Sequence, residues 1–238
     1  MKRLSLIFII FVCALTTMAQ DYLGFQLGYA RSISRLNSPE NKAVFTSTPY
    51  DGFKLGLLYD ATIIKGFGVT LGLNYTFGIS STDWVKLNDK QLGLYPQVCS
   101  KALYHQLELP VEWQYKFEIA KETWIILYTG PTIQCGLSLT SNKFETDNYG
   151  KIKDGVKSSD IYSTEDMKDY ALKRINVTWG VGAGFQFQRY FLRGGYDFGV
   201  INPYKAYQFD KVVDGGNPRT RGHFDQWQIK LGMYLWQF

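Results

Sequence analysis

The clearest pattern in the chain is a strict alternation of apolar and small polar residues. In residues 67–78 the odd positions are apolar and the even positions are glycine, threonine or asparagine. Residues 175–187 repeat the pattern, with glycine, threonine, asparagine and glutamine at the even positions. A period of two places all apolar side chains on one face of a β-strand. Both segments therefore predict strands with one apolar face and one small, uncharged polar face.

Weaker copies of this alternation complete a set of about eight strands. They begin at Leu23 and at Phe53, and they run through residues 103–117, 125–139, 190–200 and 227–235. Their lengths of about nine to thirteen residues are those that a tilted strand needs to cross the hydrocarbon core of a membrane.

The connections between these strands alternate in length. Long loops are predicted at residues 34–51, 80–101, 140–173 and 202–222, and short turns at 65–66, 118–122 and 188–189. Such a series is typical of an up-and-down membrane barrel with long extracellular loops, short periplasmic turns and both termini in the periplasm. The fold class predicted is therefore all-β, a transmembrane antiparallel up-and-down barrel of eight strands.

Composition supports this interpretation. The chain has 16% aromatic residues and 23 glycines against 7 prolines. No segment after the first twenty residues approaches eighteen consecutive apolar residues, which excludes a helical membrane protein. A soluble lipocalin-like barrel is the alternative, but its outward face meets water and should carry charge. The polar faces of 67–78 and 175–187 carry none.

The N-terminus predicts the compartment. Lys2 and Arg3 precede an apolar run over residues 4–15, and Thr17-Met18-Ala19 follows. This order is that of a secretory signal peptide. We expect residues 1–19 to be the signal and residues 20–238 to form the barrel domain, located in the bacterial outer membrane. Losing two basic residues and no acidic one takes the net charge from +5 to +3, too little to indicate a nucleic-acid partner.

A set of short motifs follows the predicted strands: His105-Gln106-Leu107-Glu108-Leu109-Pro110-Val111 with 114–117, Gly130-Pro131, 180–185, 193–199 and a closing aromatic residue. Together these motifs resemble the outer-membrane β-barrel proteins of Bacteroidota that are labelled porin family or PorT-like. The chain departs from the family at Arg174-Ile175-Asn176, where Arg-Phe-Asp is frequent. The resemblance implies that Phe238 is read by the barrel-assembly machinery, and it suggests an accessory role in a secretion system.

The last predicted strand changes phase near its end. Its apolar residues occupy odd positions from 227 to 235, whereas Phe238 shares its parity with Tyr234 and Trp236. A β-bulge inserts one extra residue and so reverses the parity of a strand. We therefore expect a bulge near the C-terminus.

Charged side chains on the inward faces form the candidate site. They are Lys54, Asp60, Glu108, Glu112, Arg193, Asp197 and Lys230. Both signs are present, and charges in a narrow lumen must pair. Counting from the strand ends places Glu112, Asp197 and Lys230 at one height, with Arg193 below them. The network is interpreted as a structural plug, with a polar gate or small ion path as the alternative.

No enzyme activity is expected. His105 and His223 are the only histidines, and neither has a serine and an acid placed to form a catalytic set. Cys99 and Cys135 are the only cysteines of the mature chain, and the predicted pairing of position 135 with about 105 separates them too far for a disulfide unless the loop folds back. No cofactor or metal is expected.

The predicted role is structural or interactive, without a large pore, because the lumen of an eight-stranded barrel is filled by side chains. A narrow channel for ions or very small solutes is the alternative. Outer-membrane lipid and lipopolysaccharide are expected partners, and a protein partner is expected through the extracellular loops. The longest loop includes residues 163–174, which are predicted to form a short helix.

Overall fold

The computed structural model describes residues 20–37, 48–64, 66–81, 85–86, 97–145, 156–157, 173–203 and 221–237. The predicted signal peptide, Phe238 and most of the predicted helix at 163–174 lie outside these residues. The two described residues of that segment, Lys173 and Arg174, are not helical. No helix in the described ranges is long and apolar enough to cross a membrane.

The described residues form ten β-strands, eight long and two short. They are β1 (Gln20–Asn37), β2 (Thr48–Ile64), β3 (Phe67–Ser81), β4 (Val85–Lys86), β5 (Gln97–Ala120), β6 (Thr123–Glu145), β7 (Val156–Lys157), β8 (Ile175–Phe187), β9 (Tyr190–Gly199) and β10 (Arg221–Gln237). The two-residue strand β4 pairs with the first residues of β5, and the two-residue strand β7 pairs with residues near the end of β6.

The eight long strands close into a ring. Each pairs with the next along the chain, from β1 through β2, β3, β5, β6, β8 and β9 to β10, and β10 pairs with β1. All of these pairings are antiparallel. Closure satisfies the edges that an open sheet would leave unpaired, which a membrane requires. The predicted fold class is confirmed: an all-β, transmembrane antiparallel up-and-down barrel of eight strands.

Three tight turns define one end of the barrel, called here the turn end. Each contains a left-handed residue: Gly66 at φ 87°, Glu122 at φ 58° and Gln188 at φ 52°. Each turn also accepts a hydrogen bond from the adjoining part of the ring, as in Lys116 N to Gly66 O at 2.8 Å. The bond from Gln188 N to Glu122 O, at 2.8 Å, joins two of the turns directly, and the other two bonds come from β5 and β10. The opposite end is called the loop end.

Most strands are longer than predicted. β5 has 24 residues and β6 has 23, and they pair as far as Val98 opposite Glu145. The predicted loops at 34–51, 80–101, 140–173 and 202–222 therefore begin or end inside strands. The alternation of apolar and polar residues identifies only the part of a strand that faces lipid. Where a strand continues into water, its outward side chains need not be apolar, so the pattern ends before the strand does. The exposed ion pair between Arg31 and Asp51, at 3.7 Å, lies on such an extension.

The faces of the wall are apolar outside and polar inside. The outward side chains of Leu57, Leu73 and Leu231 are 48–61% exposed, although each is a large apolar group. Inward positions hold buried glutamine, threonine, asparagine and charged side chains. This is the opposite of the lipocalin-like alternative, in which the apolar face points inward, and it suits a barrel surrounded by lipid.

The expected C-terminal bulge is confirmed. The pairing of β1 with β10 shifts between Leu23 opposite Trp236 and Gly24 opposite Tyr234, so Leu235 is the extra residue. Tyr234 is buried inside the barrel, whereas Leu235 and Trp236 are both exposed outside. The bulge therefore lets an inward tyrosine be followed by two outward apolar residues.

Candidate functional site

The candidate site is the row of charged side chains inside the barrel. All seven predicted residues are inside, and none of them is more than 4% exposed: Lys54, Asp60, Glu108, Glu112, Arg193, Asp197 and Lys230. They project inward because they occupy the polar positions of alternating strands. Their contacts divide them into three groups along the barrel axis.

The group nearest the loop end, called the loop-end cluster, centres on Lys54. Its ammonium lies 2.5 Å from Glu108 Oε2 and donates to the side-chain oxygens of Gln226 at 2.9 Å and Gln228 at 2.7 Å. An ammonium has three N–H donors, so Lys54 is fully satisfied. Gln228 in turn donates to Asp197 at 2.9 Å. The cluster thus links β2, β5, β9 and β10.

Glu108 is the acceptor that completes this cluster. Its Oε1 accepts from Thr76 at 2.9 Å, from Gln106 at 3.2 Å and from Gln226 at 3.4 Å. A cation and several hydrogen-bond donors offset the cost of burying this carboxylate. These contacts connect Glu108 to β2, β3 and β10 through the lumen.

The second group, called the middle cluster, is built on Glu112. Its carboxylate lies 3.0 Å from Arg193 Nη2 and 3.8 Å from Lys230 Nζ. The guanidinium of Arg193 also lies over the ring of Tyr128, 4.2 Å from its centroid, at cation–π distance. Glu112 is on β5, whereas Arg193 and Lys230 are on β9 and β10 across the ring, so the ion pairs span the lumen.

The third group, called the turn-end cluster, centres on Asp60. Lys116 lies 2.8 Å from its Oδ2, and Gln114 and the hydroxyl of Tyr234 donate to the same carboxylate. The ammonium of Lys116 is also 5.4 Å from the ring centroid of Tyr234. Phe191 packs on Tyr234 at 4.8 Å, which places aromatic rings across the lumen beside the cluster.

Sequence reasoning missed several members of these clusters. They are Gln114, Lys116, Tyr128, Gln226, Gln228 and Tyr234. The signal that identifies Lys116 was present, because Lys116 has the same parity on β5 as Glu108 and Glu112. The glutamines carry no charge and therefore drew no attention as ion-pair partners.

The predicted height was wrong for Asp197. Arg193 is directly opposite Lys230 in the ladder, and both contact Glu112. Asp197 is opposite Gln226, four positions nearer the loop end. Strands of a closed barrel are tilted and staggered, so counting from strand ends does not measure height along the axis.

Unpaired polar atoms gather in the middle cluster. Buried atoms there that have no hydrogen bond are Thr70 Oγ1, Glu112 Oε2, Tyr128 Oη, Arg193 Nε and Arg193 Nη1. Glu112 Oε2 is in ionic contact with Arg193, but the geometry is not that of a hydrogen bond. The ammonium of Lys54 is fully bonded by contrast, although Gln134 Nε2, on the residue opposite Glu108, also has no hydrogen bond.

The described residues place aromatic rings near the loop end of the lumen and a cavity at the turn end. Tyr104 lies near the loop end, where Ser32 is 3.1 Å from its hydroxyl and the ring of Tyr50 packs edge-on at 5.4 Å. At the turn end a cavity of about 480 Å³ is lined by Tyr22, Thr62, Gly66, Tyr115, Lys116, Phe117, Glu118, Trp124 and Gln186. This cavity ends at Lys116, which belongs to the turn-end cluster.

The other candidate chemical residues are not brought together. His105 contacts Tyr75 at 2.5 Å and Phe77 on the outer face of the barrel, and His223 is exposed on β10. Cys135 is a free thiol opposite Leu107. The backbone of Cys99 is opposite Phe144, and its side chain lies outside the described residues. In the described part of the chain no three His, Cys, Asp or Glu residues are grouped to hold a metal.

No family model matches the chain, and no curated protein matches it. Among solved structures it is similar to Ail, the attachment invasion locus protein of Yersinia pestis, at 11% identity and a TM-score of 0.37, over 92% of this chain and 100% of Ail. It is also similar to Neisserial surface protein A, at 10% identity and a TM-score of 0.38, over 89% and 97% of the two chains. A Pseudomonas aeruginosa FadL homologue is similar at 7% identity and a TM-score of 0.25, over 90% of each chain.

Proposed function

We propose that this chain is an outer-membrane barrel with a structural or interaction role, and that it does not form a general pore. The observation that carries the proposal is that buried ion pairs fill the lumen. The Glu112–Arg193 pair crosses it, the Lys54–Glu108 pair reaches β10 through Gln226 and Gln228, and all four charged side chains are buried. A solute would have to break buried ion pairs in two successive layers to pass, and each break leaves an uncompensated charge.

The outward surface supports a membrane location. Large apolar side chains are exposed around the ring, and charged residues are concentrated inside it. In water this arrangement would expose far more apolar surface than a monomeric soluble protein carries. Fractionation of cells that express the chain tests the location, with recovery in the outer-membrane fraction expected and recovery as a detergent-free soluble monomer contradicting it.

The loop end is where a partner is proposed to bind. β5 and β6 stay paired for ten positions beyond Cys135, where β6 meets the first residue of β8. This paired extension offers a rigid base for the long segments of the chain that connect strands at that end. The expected protein partner would engage those segments, and lipopolysaccharide would surround the barrel at the same height.

The finer assignment is to the porin-family or PorT-like proteins of Bacteroidota, with assembly by the barrel-assembly machinery and an accessory role in a secretion system. It rests on the motifs quoted above, including Leu109-Pro110-Val111 and Gly130-Pro131. Deleting the gene in its native host and measuring secretion tests this part. Unchanged secretion would contradict the accessory role without affecting the barrel.

The experiment that tests the closed lumen is conductance of the refolded chain in planar bilayers. The unaltered protein is expected to show no discrete conductance steps, because the lumen is occupied by the three clusters. Glu112→Gln and Glu108→Gln serve as matched variants, since each removes one carboxylate charge from β5. Reproducible steps in the unaltered protein would contradict a purely structural role.

A narrow ion path is the second candidate, and the unpaired atoms of the middle cluster favour it. Arg193 and Tyr128 have donors with no partner there, and a chain of water molecules can satisfy such groups. In this case Glu112→Gln should change the size or ion selectivity of the conductance steps. Steps that are identical in the unaltered protein and in Glu112→Gln would exclude a path through this cluster.

A further inference from the structure

The barrel wall has one place where the backbone ladder lapses on both sides of the same strand. Between β3 and β5, pairing passes from Leu71–Val111 to Asn74–Glu108, and Leu109 and Pro110 are not paired with β3. Between β5 and β6, pairing passes from Pro110–Thr132 to Trp113–Thr129. The register is the same on each side of both gaps, so these described strand residues remain aligned while the ladder between them is interrupted.

The cause is a pair of prolines on neighbouring strands. Pro110 on β5 and Pro131 on β6 have no N–H group, so neither can donate to the strand beside it. Gly130 adds a close backbone approach, since a Cβ at that position would contact Val111 O and Glu112 Cα. Proline inside a membrane barrel is costly, because lipid cannot replace the missing hydrogen bond. Residues 109–112 and 130–131 are called here the proline seam.

The seam lies at the height of the middle cluster. Glu112 belongs to the seam and holds Arg193 and Lys230 from across the lumen, at 3.0 and 3.8 Å. β5 is therefore bound to the opposite wall at Glu112, which lies in the gap between β5 and β6 and stays paired with Thr70 on β3. The ion pairs of Glu112 with Arg193 and Lys230, called here the Glu112 brace, hold β5 in place where backbone hydrogen bonds are missing.

The outer side of the seam is held by side chains as well. The rings of Trp113 and Trp179 lie 5.8 Å apart, and Trp179 Nε1 donates to Thr129 Oγ1 at 2.9 Å. Thr129 Oγ1 itself donates to Gly180 O at 2.9 Å. Beside these residues the outer surface has a groove of about 270 Å³, lined by Phe67, Trp113, Gln114, Tyr115, Leu127, Tyr128 and Thr129.

We propose that the proline seam is a conformational device: it opens locally while the rest of the wall stays closed, and the Glu112 brace sets how often it opens. Local opening would explain why the chain has Leu109-Pro110-Val111 and Gly130-Pro131 in its wall, since a closed lumen does not require proline at these positions. The proposal goes beyond the proposed function, because local opening of the wall does not depend on whether the lumen conducts or which partner binds.

Amide hydrogen exchange, resolved by NMR on the full refolded barrel in lipid nanodiscs, tests the proposal. Gly130 is opposite Gly180 in the ladder, so residues 179–183 of β8 form a reference at the same height with unbroken pairing. The amides of Val111 and Glu112, which lie in the gap between β5 and β6, are expected to exchange at least about tenfold faster than those reference amides, because the seam should open at a lower free energy than β8. Equal protection in the two segments would overturn the proposal.

Two variants test the brace. Glu112→Gln removes the charge that holds Arg193 and should accelerate exchange of the seam amides by a further factor of about ten. Glu108→Gln is the matched control, since Glu108 is on the same strand and is also buried in an ion pair, but it is paired in both neighbouring ladders. It should leave the seam amides unchanged. Equal acceleration by both variants would refute the role of Glu112.

The proline substitution keeps the test valid if Glu112→Gln does not fold. Pro131→Thr restores a backbone N–H within an otherwise unaltered barrel and should slow exchange at Val111 and Glu112 towards the rate of the β8 reference. Continued fast exchange in a folded Pro131→Thr barrel would show that the prolines do not cause the seam, which contradicts the proposal.

Discussion

Nζ of Lys54 lies 2.5 Å from Oε2 of Glu108 inside the barrel, and each side chain is 1% exposed. The two residues are on β2 and β5, which flank β3 on either side, so the ion pair bridges over β3 through the lumen. With Gln226 and Gln228 it also reaches β10. The buried ammonium of Lys54 thus connects β2, β5 and β10, and no two of these strands are paired with each other in the backbone ladder.

Lys54→Met should destabilise the barrel by about 3–5 kcal/mol, because it leaves the carboxylate of Glu108 buried without its cation. Unfolding in urea, followed by the heat-modifiable gel shift and tryptophan fluorescence, measures the change. The double variant Lys54→Met with Glu108→Met removes both charges and should recover most of the loss. A double variant no more stable than the single one would show that the ion pair is not the source of the effect.

Gly78→Ala should destabilise the barrel by about 1–3 kcal/mol through overpacking. A Cβ at Gly78 would meet the ring of Tyr104, which is buried near the loop end of the lumen. Gly194→Ala is the matched control, because the nearest atom to its added Cβ is 3.8 Å away. The control should change stability by less than about 0.5 kcal/mol. A similar loss of stability in both variants would mean that replacing any strand glycine is destabilising, and that contact with Tyr104 is not the cause.

Leu73→Arg should cost about 2–4 kcal/mol in a lipid bilayer, because it places a charge on the lipid-facing side of β3. Leu73 is 48% exposed and is opposite Leu57 on β2. Ile119→Arg, at the turn end of β5, lies near the membrane interface and should cost at most about 1 kcal/mol. The free energy of refolding into vesicles measures both. Equal costs would place the membrane elsewhere along the barrel.

Deletion of Leu235 should be tolerated, whereas deletion of Leu231 should prevent folding. Leu235 is the extra residue of the bulge, so its removal leaves Tyr234 inside and Trp236 outside. Removal of Leu231 reverses the parity of the residues that follow and turns Tyr234 away from Asp60, its partner in the lumen. The heat-modifiable gel shift of each refolded variant distinguishes them. A folded barrel without Leu231, or none without Leu235, would contradict the assignment of the bulge.

Much of the wall could be predicted because it depends on local chemistry. The two-residue period at 67–78 and 175–187 defines which face each side chain occupies, and the inward charges follow directly from it. The parity reversal at Phe238 predicted a bulge, since one inserted residue is the simplest way to change the face of a strand. Strand ends at the loop end could not be read in this way, because the ladder of β5 and β6 extends past the apolar alternation.

The partners inside the lumen depended on the closed ring. By itself the sequence determined the alternating faces, the number of strands, the short turns and the inward position of Lys54, Glu112 and Arg193, because each of these follows from residues that are neighbours along the chain. Only the tertiary structure decided that Glu112 meets Arg193 and Lys230, that Lys54 meets Glu108, and that Lys116 joins Asp60. Those contacts join residues 54–118 positions apart. The stagger of tilted strands around a closed barrel sets which of them share a height.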